Sequence, residues 1–265
     1  MNVTPALQLV PRKIVYEQPL NERIRTFLRL EFLFNQAQHN MLKDSVWNSR
    51  SALISLVDIL VILERGDVKT EVLKEMDRHA LSLARLARSP GVDQSRLAEI
   101  LDRVQHLGDR LRPLNGPIGQ ELKKNEFLKS IAQRTTIPGG TCHFDLPGYH
   151  FWLERPTEQR TKNLANWLTS FETLQEAIAL LLTLIRQSVV PTHEHAPRGF
   201  FQQSLDPNLP YQLLRVSLPA SASYFPEISG GKHRFTVRFL EQPCLEMRAV
   251  QTAHEVDFEL ARCAF

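Results

Sequence analysis

Residues 230–239, Gly-Gly-Lys-His-Arg-Phe-Thr-Val-Arg-Phe, alternate polar and apolar side chains with a period of two. That period fits a strand with two unlike faces and little else. Phe235, Val237 and Phe239, together with His233, fall on one face and are expected in a core. Lys232, Arg234, Thr236 and Arg238 fall on the other, which carries three cations and no acid. Such a strand presents charge from a rigid scaffold, and the functional question is what meets that charge.

A second alternating segment, 254–262, offers an internal answer. Val256, Phe258 and Leu260 share one face, and Glu255, Asp257 and Glu259 share the other. If the two segments pair in one sheet with apolar faces aligned, these acids lie beside Arg234 and Arg238. Each cross-strand ion pair is then worth a few tenths to ~1 kcal/mol. The other answer is a foreign acidic ligand. Both stay open here, because a guanidinium has five donors and can serve an internal and an external carboxylate together.

Upstream, residues 13–18 read as a short strand. Apolar spacing then predicts helices from about Leu20 to Met41, Val46 to Arg65 and Asp67 to Arg88, and from about Asp93 to Arg112 and 118 to 135. Pro147-Gly148 between 141–146 and 149–154 predicts a hairpin. Two further helices follow, the first capped by Thr157, with a bend near Ser170-Phe171. Strands are expected at 199–203 and 211–218, besides the two alternating segments. The order predicts an α+β protein in which a helical domain is inserted between strands of a mainly antiparallel β domain. The expected helical domain is 19–136 plus 157–188. The expected β domain is 13–18, 141–155 and 198–263.

The 265 residues carry 43% apolar and 23% charged side chains with a net charge of +3, too small an excess for indiscriminate nucleic-acid binding. Three cysteines without paired spacing suggest a reducing compartment. The longest apolar run, Ile54 to Leu63, is interrupted by Asp58, so no direct membrane insertion and a cytoplasmic location are expected. Nucleophile elbows, phosphate loops, dinucleotide fingerprints and zinc-protease motifs are absent, which argues against an enzyme and against a cofactor. His193-Glu194-His195 is the nearest approach to a metal motif. It sits in an expected proline-flanked loop without a third ligand, so no metal is expected. His79 borders a helical apolar stripe and is expected at the edge of a core. Arginines near Phe235, Phe239, Trp152 and Tyr149 keep nucleic-acid binding as the alternative, but the strand's aromatics and arginines lie on opposite faces. An extended acidic peptide is the better ligand.

Several blocks carry a resemblance. EQPLNERIRTFLRLEF (17–32), LERGDVKTE (63–71), PGVDQSR (90–96), IPGG (137–140), FDLP (144–147), IRQS (185–188), YFPEISG (224–230) and DFEL (257–260) occur in this order. Together they resemble the ZapD family of bacterial cell-division proteins over about 14–262. The resemblance implies a non-enzymatic cytoplasmic homodimer at the mid-cell division site. It implies binding to the C-terminal tail of the tubulin-like protein FtsZ, which mixes acidic and apolar residues, and bundling of FtsZ filaments that stabilises the Z-ring. The family's tail-binding positions fall on Arg65, Arg234 and Arg238, with Lys232 beside them. Positions linked to bundling fall on Arg29 and His150. A third such position, basic in a relative, is Glu126 here.

Overall fold

The computed structural model of the chain describes residues 12–87, 91–114 and 116–265. The chain forms two compact units, one built from the chain up to Arg25 and from Leu184–Phe265, the other from Thr26–Thr183. Helix α1 (Glu22–Met41) leads from the first unit into the second, and α9 (Glu172–Arg186) leads back. The architecture is α+β, with antiparallel sheets, as the order of periodicities implies.

The β unit is a sandwich. Its first sheet has the order β1-β4-β8-β2, from β1 (Lys13–Pro19), β4 (Tyr211–Pro219), β8 (Val256–Ala264) and β2 (Thr192–Ala196). Its second has the order β3-β6-β5, from β3 (Phe200–Ser204), β6 (Arg234–Glu241) and β5 (Tyr224–Gly230), and β7 (Val250–Gln251) extends β6. Alternation places Leu214, Val216, Phe235, Val237, Phe239, Phe258 and Leu260 in one shared core. Ring contacts span the two sheets, Phe239 to Phe258 at 5.0 Å and Phe201 to Phe258 at 5.3 Å. A 3-10 turn, Pro197–Gly199, carries the chain from β2 to β3. Gly199 there has φ +69°, and a Cβ on it would lie 2.6 Å from Thr252 Cγ2, so glycine is required.

The two alternating segments therefore do not pair. β6 and β8 lie in different sheets and meet through their apolar faces, which sends their charged faces in opposite directions. His193-Glu194-His195 is strand rather than loop, because β2 pairs along β8 from Thr192↔Leu260 to Ala196↔Val256. His233 is exposed ahead of β6, not directed into the core.

In the helical unit, α2 (Val46–Arg65), α3 (Val68–Leu86) and α4 (Gln94–Leu111) start at Ser45, Asp67 and Asp93, whose side chains accept backbone N–H bonds from Trp47, Thr70 and Arg96. Such caps are worth about 1 kcal/mol each. The expected helix over 118–135 is two, α5 (Gln120–Lys123) and α6 (Glu126–Thr135), because Asn125 caps a fresh start by accepting from Leu128 N–H. The expected hairpin is absent. Residues 139–145 form turns, and Pro147–Leu153 is helix α7 with proline at its first turn. Its buried residues, Tyr149, Trp152 and Leu153, have helical spacing; Tyr149 and Trp152 pack with Phe127, and Trp152 also with Trp167. Helix α8 (Thr157–Thr169) follows Pro156 at the cap position. Thr157 is inside its first turn, so it is not the cap.

Helix α2 is long and apolar enough, by length and composition, to cross a membrane, which the interrupted-run criterion missed. Half of the relevant window is buried, with Leu53, Leu56, Val57, Leu60 and Leu63 in the helical core. His79, on α3, is fully buried with its Nε2 3.1 Å from Glu75 Oε1.

Candidate functional site

The outward face of the β3-β6-β5 sheet follows from register. Arg238 stands between Phe200 of β3 and Glu227 of β5, Thr236 between Gln202 and Ser229, and Arg234 beside Ser204. Arg234 and Arg238 are exposed, while Phe235, Val237 and Phe239 between them are buried. Arg238 donates from Nε to Glu227 Oε2 at 3.1 Å and also pairs through Nη2. Arg234 has no ion-pair partner among the described residues. Lys232 precedes the ladder, in a bend, and borders a separate hollow of about 360 Å³ with Leu20, Asn21, Leu209 and Tyr211.

The acids on β8 and immediately before it are engaged elsewhere. Glu259 takes Lys13 at 2.5 Å. Glu255 and Asp257 hold His195 from both sides, Nε2 to Glu255 at 2.6 Å and Nδ1 to Asp257 at 2.8 Å. With a carboxylate on each ring nitrogen, the hydrogen bonds that His195 donates to Asp257 and then Glu255 push its pKa up, and the imidazolium form is favoured. None of these three acids reaches Arg234 or Arg238.

In the helical unit, Arg65 ends α2 and is exposed, a cation at the negative end of the helix dipole. It lines a hollow of about 570 Å³ with Leu63, Asp67, Lys69, Ile118 and Lys123. Lys69 is committed to the carbonyls of Arg112, at 3.3 Å, and Leu114. The Asp67 carboxyl is held below its usual range by bonds from the Thr70 hydroxyl and backbone N–H, so it stays charged as the α3 cap. Arg65 and Lys123 have no ion pair among the described residues, which leaves two available cations at this hollow.

Arg29 is exposed on α1. His150 is exposed on α7, its ring 5.7 Å from that of His143. Glu126 begins α6 and pairs with Lys129 at 3.3 Å. Among the described residues no group of three or more His, Cys, Asp and Glu side chains converges on a metal position.

Glu227 is the site residue that sequence reasoning missed. Its signal was present in Tyr224-Phe-Pro-Glu-Ile-Ser-Gly230, where Tyr224, Pro226 and Ile228 alternate with Phe225, Glu227 and Ser229. Pro226 disguised it, since proline is confined to edge strands, and β5 is one. The arrangement offers guanidinium donors on an exposed sheet face beside the partly exposed ring of Phe200, suited to an extended chain that mixes carboxylates with apolar side chains. Phe235 and Phe239 are buried, so no β6 aromatic is free to stack on a base.

A family profile described as "ZapD: Cell division protein" matches residues 28–238. The chain is similar to "Cell division protein ZapD" of Methylococcus capsulatus, 49% identical over 251 residues, covering 95% of this chain and 98% of that one. It is 36% identical to the protein of that name from Coxiella burnetii over 96% of this chain and 99% of that one. For one from Escherichia coli the identity is 37%, over 95% and 99%.

Proposed function

The chain belongs to the ZapD family of cell division proteins, and from that premise we propose that it is a non-enzymatic, cytoplasmic division factor that grips the C-terminal tail of FtsZ. As a homodimer it cross-links and bundles FtsZ filaments at mid-cell and stabilises the division ring. The observation that carries this reading is the exposed cationic row of β6, in which Arg234 has no ion-pair partner among the described residues and Arg238 has one half-exposed acid. Arg65 and Lys232 supply further cations for the tail, each from its own unit. Arg29 and His150 are the auxiliary contacts for bundling.

The mechanism needs no strong single contact. One tail bound by each subunit makes the dimer bivalent, and tails repeated along a filament raise the effective concentration for the second capture. Basic surfaces steer acidic tails and make bundling salt-sensitive.

Arg238→Glu places a like charge before the tail on an exposed side chain. Titration calorimetry with a tail peptide is expected to show binding abolished, with circular dichroism and dimerisation unchanged. Unaltered affinity in that variant refutes the assignment. Co-sedimentation with intact and tail-less filaments, with an oligonucleotide as a control ligand, separates tail capture from generic charge attraction. A monomeric variant is expected to bind tail peptide without bundling.

A further inference from the structure

Glu227 faces Arg238 directly across the ladder between β5 and β6. Its Oε2 accepts from Arg238 Nε at 3.1 Å and from Nη2. These two nitrogens form one edge of the guanidinium plane. Nη1 and the second proton of Nη2 form another, and no acceptor among the described residues takes Nη1. The two side chains are 51% and 53% exposed, so the pair is a surface one, weak and readily exchanged. Arg234 lies four residues along the same face, roughly 13 Å away at strand rise, and has no such acid.

We propose that Glu227 sets the affinity and selectivity of this face for acidic ligands, by standing on Arg238 where an incoming carboxylate would otherwise stand. The inference rests on the tail-binding reading above and adds to it a resident competitor. A ligand carboxylate must either take the remaining edge of Arg238, with the Glu227 charge several ångströms away, or displace Glu227 from the first edge. Either route discriminates. A ligand that places acids over both Arg234 and Arg238 along an extended backbone pays the competition once and gains two contacts. A ligand with one acid binds best at Arg234, where nothing competes. Glu227 thus lowers the affinity of any ligand that reaches Arg238, leaves capture at Arg234 untouched, and so tilts the face toward ligands anchored at Arg234.

The test is anisotropy with a labelled FtsZ tail peptide at low and at physiological salt, using wild type, Glu227→Gln, Glu227→Ala, Arg238→Ala and Glu227→Gln/Arg238→Ala. Removing a unit charge several ångströms from a surface-bound carboxylate is expected to tighten binding by about three- to tenfold in both Glu227 variants. The gain is expected to shrink as salt rises and to vanish when Arg238 is alanine. If Arg238→Ala weakens the peptide but both Glu227 variants bind no tighter than wild type, the competitor role is overturned while the tail site stands. A gain that persists without Arg238 also overturns it. If Arg238→Ala leaves affinity unchanged, the tail-binding reading of this face itself fails, and the role of Glu227 falls with it. Glu227 is exposed at a sheet edge, so unchanged circular dichroism is expected in each variant.

Discussion

Replacing Arg160 by methionine tests how the helical unit holds the α7 segment. Arg160 is 4% exposed, yet no carboxylate bonds to it. Its Nε donates to Ser49 Oγ at 3.0 Å, and Nη1 donates to the carbonyls of Leu153, at 3.1 Å, and Arg155. Nη2 donates to the Asp44 carbonyl at 3.0 Å and to Thr157 Oγ1 at 3.1 Å. One side chain thus ties the end of α7 and the start of α8 to the loop before α2. Methionine keeps much of the stem but supplies no donor. The two hydroxyls can turn to other partners, and the Asp44 carbonyl still accepts from Thr157 Oγ1 at 3.3 Å, so the loss falls on the carbonyls of Leu153 and Arg155, each costing about 1–1.5 kcal/mol when orphaned. The expected destabilisation is about 2–3 kcal/mol. Lysine, with three donors for five acceptors, is expected to cost about half of that. The three tryptophans, Trp47, Trp152 and Trp167, all belong to the helical unit, so their fluorescence reports on it alone. With a urea slope of about 2–3 kcal/mol per M, the fluorescence midpoint of Arg160→Met falls by about 1 M. A midpoint equal to wild type refutes the idea that a buried cation here does the capping of neutral carbonyls.

Other expected outcomes concern each unit separately. Burial raises the Glu17 pKa, but bonds and charge from Arg186, with those of Arg215, outweigh it and hold the carboxyl below its ordinary 4.5. Its contribution to stability is therefore fully present above the unfolded value and lost as pH falls through the lower folded one. Amide exchange in β1 and β4 should accelerate on acidification in wild type, and Glu17→Gln should be weaker at neutral pH with a flatter acid limb. Burial pushes the Cys263 thiol up to about 11, whereas Cys142 is exposed. Iodoacetamide at neutral pH should label Cys142 in the native protein and Cys263 only after unfolding, as read by mass spectrometry. Gly119 has φ +78°, and an added Cβ would lie 2.7 Å from Phe171 Cε1. Gly119→Ala should cost about 1–3 kcal/mol in the tryptophan-monitored melt.

Where the sequence period was long and one-sided, it carried the structure with it. β6 shows its alternation directly, and the caps at Asp67 and Asp93 precede helices that begin at the next residue. The failures share a cause, which is that local pattern does not say what lies opposite. Tyr149, Phe151 and Leu153 alternate like a strand, but Tyr149, Trp152 and Leu153 are also spaced like a helix, and packing against Phe127 decides for the helix. β2 has one buried residue, Ala196, so its membership of a sheet is invisible without β8 beside it. The cationic character of Arg234 and Arg238 was legible, whereas the acid beside Arg238 depended on an unrecognised neighbouring strand. The choice between β8 acids and Glu227 was a question of sheet membership, which neither segment encodes by itself.

The order β1-β4-β8-β2 joins an early strand to very late ones. During translation β1 emerges ahead of the helical unit, and β4 is made after it. Both inner strands of that sheet, β4 and β8, follow the helical unit in chain order. The helical unit can therefore complete its core on the growing polypeptide while β1 waits unpaired. A nascent chain stalled just short of β8 would expose the long edge of β4 and leave β2 without its ladder partner, which makes late translational pausing a point of aggregation risk for this molecule.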